Sequence, residues 1–281
     1  MLTEQQVHDY LTRIGAARPE RPDLAALRHL QERHSLTVPF ESIDYHLGRE
    51  IYMDERIVDK VVYQRRGGGC YEINTAFYLL LLALDFPVTL HQCRVWISGR
   101  FTAPHNHVLM TVRFPEDGTR WLADVGFGKS SRYPVRLGTP EPHVDQHGRF
   151  TTGRPEDGAT DVYRNDVLQY RFYDEPAELP DFRQNLWWYR THPASPFLQN
   201  MFCSLPTEDG RVTLQGDRLT VLDGGRQTVE ILAGDDAVVE AYQWFFGISF
   251  DKPPVPGPYA DDSMRMSFFE SDDGRSDLVP R

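Results

Sequence analysis

Arg65, Arg66, three consecutive glycines (Gly67, Gly68, Gly69), Cys70, Tyr71 and Glu72 put a cysteine where a glycine turn meets the start of a helix. A thiol placed there can become a nucleophile. The free N–H groups of a first helical turn and the positive end of the helix dipole favour thiolate over thiol. After Cys70 the apolar residues Ile73, Ala76, Phe77, Leu80, Leu81 and Leu84 recur at helical spacing until Pro87 stops them. A cysteine heading such a helix is often a small buried hydrophobe. The glycine triplet argues for chemistry, because it lets other groups approach the backbone closely and has no use as core filling.

A cysteine nucleophile needs a base, and the base needs an orienting group. His107 opens the segment HVLMTVRF, and Asp124 closes RWLADV just before Gly126, Phe127 and Gly128. Pairing of these segments as a hairpin through Glu116, Asp117 and Gly118 brings His107 and Asp124 to one end of a ladder, in the chain order Cys, His, Asp. His91 and His105 are rival bases, and His105 shares strand parity with His107. Asp124 also fits a strand-end turn former. The second glycine cluster, Gly126 to Arg132, has the composition of a phosphate-cradling loop but lacks the full Walker pattern. Its position after Asp124 supplies local positive charge on an acidic chain.

These groups need elements to hold them. Thr3 and Gln6 form a capping-box pattern ahead of Val7, Tyr10, Leu11 and Ile14, with Gly15 as a stop. A second helix starts near Pro22 and Asp23, and a third runs from Asp54 through Val62. From Val88 the period changes to two, which predicts strands in VTLHQCRVWI, HVLMTVRF and RWLADV, then at 149–152 and 168–174, the last two separated by a polar stretch of loop composition. A connecting helix is predicted over 181–189. Short strands (RVTLQ, RLTVL, QTVEIL) and a helix from Asp235 to Gly247 complete an α/β unit. The class is α+β, with domains at 1–86 (helical, carrying the cysteine), 87–190 (β, carrying His107 and Asp124) and 191–274. Residues 275–281 read as the remnant of a protease-cleavable tag.

A net charge of -11 argues against nucleic acid and anionic membranes as partners. Three cysteines without paired short spacing fit neither a disulfide framework nor a zinc cage, so no metal is expected. The N-terminus lacks an apolar signal region, which predicts a cytoplasmic protein. Oligomeric state is not legible.

Arg66-Gly67-Gly68-Gly69-Cys70-Tyr71-Glu72-x-Asn74, Val38-Pro39-Phe40-Glu41, the His107 strand, Asp124-Val125-Gly126-Phe127-Gly128 and Phe246-Gly247-Ile248 occur in one order that resembles the arylamine N-acetyltransferase family. The resemblance implies a helical N-terminal domain, a β-barrel domain and an α/β lid around a cysteine-protease-like Cys-His-Asp core. It also implies ping-pong transfer of acetyl from acetyl-coenzyme A, through a thioester on Cys70, to an arylamine, arylhydroxylamine or hydrazine nitrogen. His107 would handle the thiol proton and Asp124 would hold the imidazole. Phe40, Val95, Phe127 and Phe202 would line the acceptor pocket, and Gly126, Phe127, Gly128 and Lys129 would face coenzyme A.

The chain departs from the common family pattern at Gly69, where a larger residue often stands, at Tyr71 and at Ser42. Glu41 and Arg66 form either an ion pair or two solvated charges. The same triad order also serves amide synthases and transglutaminase-like cysteine hydrolases, and a binding module with an inert Cys70 is the non-enzymatic reading.

Overall fold

Thr3 begins the first helix, Glu4–Ile14, by accepting the Gln6 N–H while the Gln6 side chain accepts the Thr3 N–H. Gly15 ends it at a φ of 67°, a backbone shape that costs glycine little. The Asp23 carboxylate starts Leu24–Thr37 by accepting the Ala26 N–H. The third expected helix is divided: Arg56–Val58 is α-helical, and Asp59–Tyr63 continues with wider π turns that bury Lys60. The computed structural model describes residues 1–261, 264–266 and 278–280.

Cys70–Ala83 is the central helix, with Ile73, Ala76, Phe77, Leu80 and Leu81 fully buried. It packs on strands His107–Arg113 and Val88–Ile97. Truncating a buried aromatic such as Phe77 to alanine costs about 3–5 kcal/mol in such a core.

The strands belong to an antiparallel sheet that forms a nearly closed barrel. Its order is Val135–Arg136, Arg120–Ala123, His107–Arg113, Val88–Ile97, Val167–Pro176, Ala159–Arg164, Gly148–Gly153 and His143–Asp145. Ala159–Arg164 corrects the expectation of loop between 152 and 168. Gly158 and Asp161 disguise it, but Asp161 sits opposite Arg171, which holds its carboxylate at 2.7 and 3.1 Å. A cross-strand pair of opposite charge makes an aspartate tolerable within a ladder.

A second sheet has the order Phe40–Glu41, Cys203–Pro206, Gly210–Gln215, Arg218–Asp223 and Arg226–Ile231, with helix Asp235–Phe246 against it. Its first strand is a two-residue piece of the N-terminal region, too short to show a period in sequence. It ties the α/β lid to the glycine turn, because Phe40 also bridges Gly68. The molecule is thus α+β, with a helical N-terminal part, a barrel and a lid. Met264–Met266 pairs with Leu278–Pro280. Most of the stretch read as a tag remnant lies outside the described residues.

Candidate active site

Each glycine of the turn answers a specific contact. A Cβ on Gly67 would lie 1.7 Å from the Pro39 carbonyl oxygen, and one on Gly68 would lie 2.3 Å from Glu72 Oε2. A Cβ on Gly69 would lie 3.1 Å from the Tyr45 hydroxyl. The Gly69 N–H, just before the helix, donates to Glu72 Oε2 at 3.2 Å. Cys70 therefore enters the first turn with its local backbone fixed.

His107 Nε2 lies 2.9 Å from Asp124 Oδ2, both side chains being buried. With Nε2 committed, Nδ1 is the ring nitrogen left for Cys70, whose hydrogen bond to His107 contributes to the imidazole's affinity for a proton. Burial alone would lower the pKa of His107, but the Asp124 carboxylate and the Cys70 contact push it up to about 10. Burial would raise the pKa of Asp124. Instead His107, Asn74 and the Gly126 N–H hold it below the usual carboxylate range. The electrostatics favour an imidazolium poised beside the Cys70 sulfur.

Asp124 is held from several sides. Asn74 Nδ2 donates to Oδ1 at 2.9 Å, the Gly126 N–H donates to Oδ1 at 2.8 Å, and the Tyr170 hydroxyl donates to Oδ2 at 3.3 Å. Neither Asn74 nor Tyr170 was singled out for this role from sequence. Asn74 carried a usable signal, since it lies four residues after Cys70 and so on the same helix face. Tyr170 carried none, because the register that brings it opposite Val95 is a tertiary fact.

The rival histidines are engaged elsewhere. His91 lies 2.8 Å from the Tyr173 carbonyl through Nδ1 and 2.9 Å from Thr111 Oγ1 through Nε2. His105 precedes the strand, in a left-handed conformation at φ 60° and edge-on to Phe182. Cys93 pairs in register with His107, but burial pushes its thiol pKa well up, as it does for Cys203.

The residues expected to line the acceptor pocket form two groups. Phe127 stands edge-on to His107 at 5.2 Å and to Tyr170 at 4.7 Å, with Val95 opposite Tyr170 in the ladder. Phe40 contacts Phe202 at 5.3 Å and Phe197 at 6.0 Å. Phe202 is fully buried behind Phe40.

The second glycine loop is built differently from a phosphate cradle at its first two residues. The Gly126 N–H is committed to Asp124, and the Phe127 N–H donates to Ser130 Oγ at 3.2 Å. Gly126 is needed for close approach, because a Cβ there would lie 2.6 Å from Asn74 Nδ2 and 3.1 Å from Cys70 Cα. Gly128 alone in this loop takes a positive φ, 84°, and Lys129 is buried.

Beneath the turn lies a buried charge network. Arg66 Nη2 contacts Glu41 Oε1 at 2.7 Å and Asp44 Oδ1 at 3.1 Å. Lys60 Nζ contacts Glu72 Oε1 at 2.7 Å and Asp44 Oδ2 at 2.8 Å. Glu41 and Arg66 are therefore a buried ion pair, and they tie the Val38–Glu41 segment to the turn.

A family profile described as N-acetyltransferase matches residues 23–255, which defines the molecule's class as an acetyltransferase. The relatives narrow the class. The arylamine N-acetyltransferase of Mycolicibacterium smegmatis is 33% identical over 250 residues, covering 85% of this chain and 90% of the relative, and that of Mycobacterium bovis is 32% identical over 249 residues, covering 85% and 88%. A solved structure of the M. smegmatis enzyme superposes with a TM-score of 0.78 at 31% identity, over 86% of this chain and 92% of that one. The Mycobacterium marinum enzyme, solved in complex with CoA, gives 0.77 at 28% identity, over 86% and 92%. The chain belongs to the arylamine N-acetyltransferase family. No helix among the described residues is long and apolar enough to cross a membrane.

Proposed function

We propose that this chain moves an acetyl group from acetyl-coenzyme A to the nitrogen of arylamines, arylhydroxylamines or hydrazines, in a ping-pong cycle through an acetyl thioester on Cys70. The observation that carries the reading is the 2.9 Å contact between His107 Nε2 and Asp124 Oδ2 beside a cysteine at a helix start. The family membership and the coenzyme A complex of the M. marinum relative support the donor.

In the first half-reaction the Cys70 proton resides on His107 Nδ1, and Asp124 stabilises the resulting imidazolium. The Cys70 sulfur attacks the acetyl carbonyl carbon, the carbonyl π pair moves onto oxygen, and collapse expels the coenzyme A thiolate, which takes the proton from His107. In the second half-reaction the amine attacks the thioester, His107 accepts the amine proton, and Cys70 leaves as thiolate. Phe40, Val95, Phe127 and Phe202 supply apolar walls suited to flat acceptors. Gly126, Phe127, Gly128 and Lys129 face coenzyme A. The units 1–86, 87–190 and 191–274 deliver the nucleophile, the base with its orienter, and the lid, in a cytoplasmic protein.

Intact-protein mass spectrometry with acetyl-coenzyme A tests this directly. One acetyl mass should add to the parent and to Cys93→Ala and Cys203→Ala, and none to Cys70→Ala. A panel of aryl amines and hydrazides should then discharge it. Acetylation surviving in Cys70→Ala, or turnover of peptide amides without a thioester, would overturn the reading.

A further inference from the structure

Four tyrosines surround the nucleophile and its orienter, and three have their hydroxyls engaged. Tyr71 donates to the His105 carbonyl at 2.7 Å, Tyr189 to Asn106 Oδ1 at 2.9 Å and Tyr170 to Asp124. The Tyr45 hydroxyl is buried and has no hydrogen-bond partner among the described residues. An unsatisfied buried donor costs free energy and calls for an explanation.

Its placement supplies one. The Tyr45 ring stacks on Phe197 with centroids 4.9 Å apart and planes 16° from parallel, so the hydroxyl is held in one place. That place is beside Gly69, the residue before Cys70: a Cβ on Gly69 would lie 3.1 Å from the hydroxyl and 3.5 Å from the ring carbon Cε2. The glycine ahead of Cys70 is what leaves room for a phenol at this spot. Burial first, then the nearby Glu72 and Cys70, hold the pKa of Tyr45 well above the ordinary value, so the group stays a donor at working pH.

We infer that the Tyr45 hydroxyl is a further catalytic group, a hydrogen-bond donor reserved for the carbonyl oxygen of the acyl group that reacts at Cys70. The inference rests on Cys70 being the acylated residue. As sulfur attacks, the carbonyl π pair moves onto oxygen, and a fixed neutral donor lowers the energy of that oxyanion. The bond is released when the pair returns and the leaving group departs. The unsatisfied hydroxyl of the resting protein is then a pre-organised feature whose partner arrives with the substrate.

The test is Tyr45→Phe, which keeps the ring and its stacking and deletes only the oxygen. Acetylation of Cys70 by p-nitrophenyl acetate, followed by release of p-nitrophenolate, requires no coenzyme A. The variant should acylate at least about tenfold more slowly. Alkylation of Cys70 by iodoacetamide, which forms no oxyanion at the reacting carbon, should keep the parent's rate and pH profile. The melting temperature should stay level or rise, because an unpartnered buried hydroxyl has been removed. Parent-like acylation in Tyr45→Phe, a parallel loss of alkylation, or a variant that fails to fold would each overturn the inference. If the parent is acylated by the ester but not by acetyl-coenzyme A, and Tyr45→Phe slows the ester reaction, the donor assignment under Proposed function falls while this one stands.

Discussion

Asn74 Nδ2 donates to Asp124 Oδ1 at 2.9 Å from a position one helical turn beyond Cys70. Cys70 and the residue that anchors Asp124 therefore ride on one helix. The same amide group donates to the Val108 carbonyl at 2.7 Å, and its oxygen accepts the Val125 N–H at 2.9 Å. A single side chain thus clamps the helix to both barrel segments that carry His107 and Asp124.

Asn74→Ala removes all three bonds. It leaves the Val125 N–H and the Val108 carbonyl without the amide and Asp124 with one fewer donor. By analogy with outer-shell groups elsewhere, the rate of Cys70 acetylation should fall about 10–100-fold. Buried groups left unpaired should also cost about 1–3 kcal/mol each in urea unfolding. Single-turnover acetylation at the parent rate would show that Asp124 is positioned without Asn74.

Gly126→Ala forces a Cβ to within 2.6 Å of Asn74 Nδ2 and 3.1 Å of Cys70 Cα. Both atoms belong to the rigid central helix, so the loop must retreat, taking with it the Gly126 N–H that donates to Asp124. Acetylation by acetyl-coenzyme A and by p-nitrophenyl acetate should fall together, by more than about tenfold. A defect confined to acetyl-coenzyme A would instead assign Gly126 to the cofactor alone.

The convergence of Cys70, His107 and Asp124 was legible in sequence because each sits at a local signal: a glycine turn before a helical period, a strand start, and a strand end before glycine. The long strands Val88–Ile97 and Val167–Pro176 were legible for the same reason, a sustained period of two. Phe40–Glu41 was not, since two residues cannot show a period and their pairing with Cys203 and Ser204 spans the chain. Ala159–Arg164 was hidden by an aspartate whose partner, Arg171, is adjacent only after folding. Tyr45 lay outside any local pattern, and the room for its hydroxyl comes from the side chain that Gly69 lacks.

His107 titrates near pH 10 in the folded protein against an ordinary value near 6.5. A group raised in this direction contributes stability that is complete below about pH 6.5 and is lost as pH climbs through about 10. Asp124, held below the ordinary range, acts oppositely, and its contribution is lost in acid. The urea midpoint should therefore decline between pH 7 and 10.5, and Asp124→Asn should remove most of that slope by taking away the charge that raises His107. A parent midpoint that stays flat to pH 10.5 would contradict the ion-pair description.

Lys60 and Arg66 face three carboxylates, Glu41, Asp44 and Glu72, in a site closed to water. Lys60→Met leaves Asp44 and Glu72 without the ammonium, and breaking a buried pair on one side costs about 3–5 kcal/mol. Burial already pushes Glu72 up to about 7, with Lys60 pulling it down and Glu41 adding to the rise. Removing Lys60 should drive it higher, so Glu72 takes a proton at neutral pH and part of the penalty is relieved. Glu72→Gln supplies that neutral form permanently and keeps an oxygen for the Gly69 N–H, which precedes the Cys70 helix. The two substitutions should therefore be non-additive: Lys60→Met in the Glu72→Gln background should cost at least about 1 kcal/mol less than in the parent. Additive urea midpoints would mean that Lys60 acts through Asp44 and Glu41 and not through Glu72.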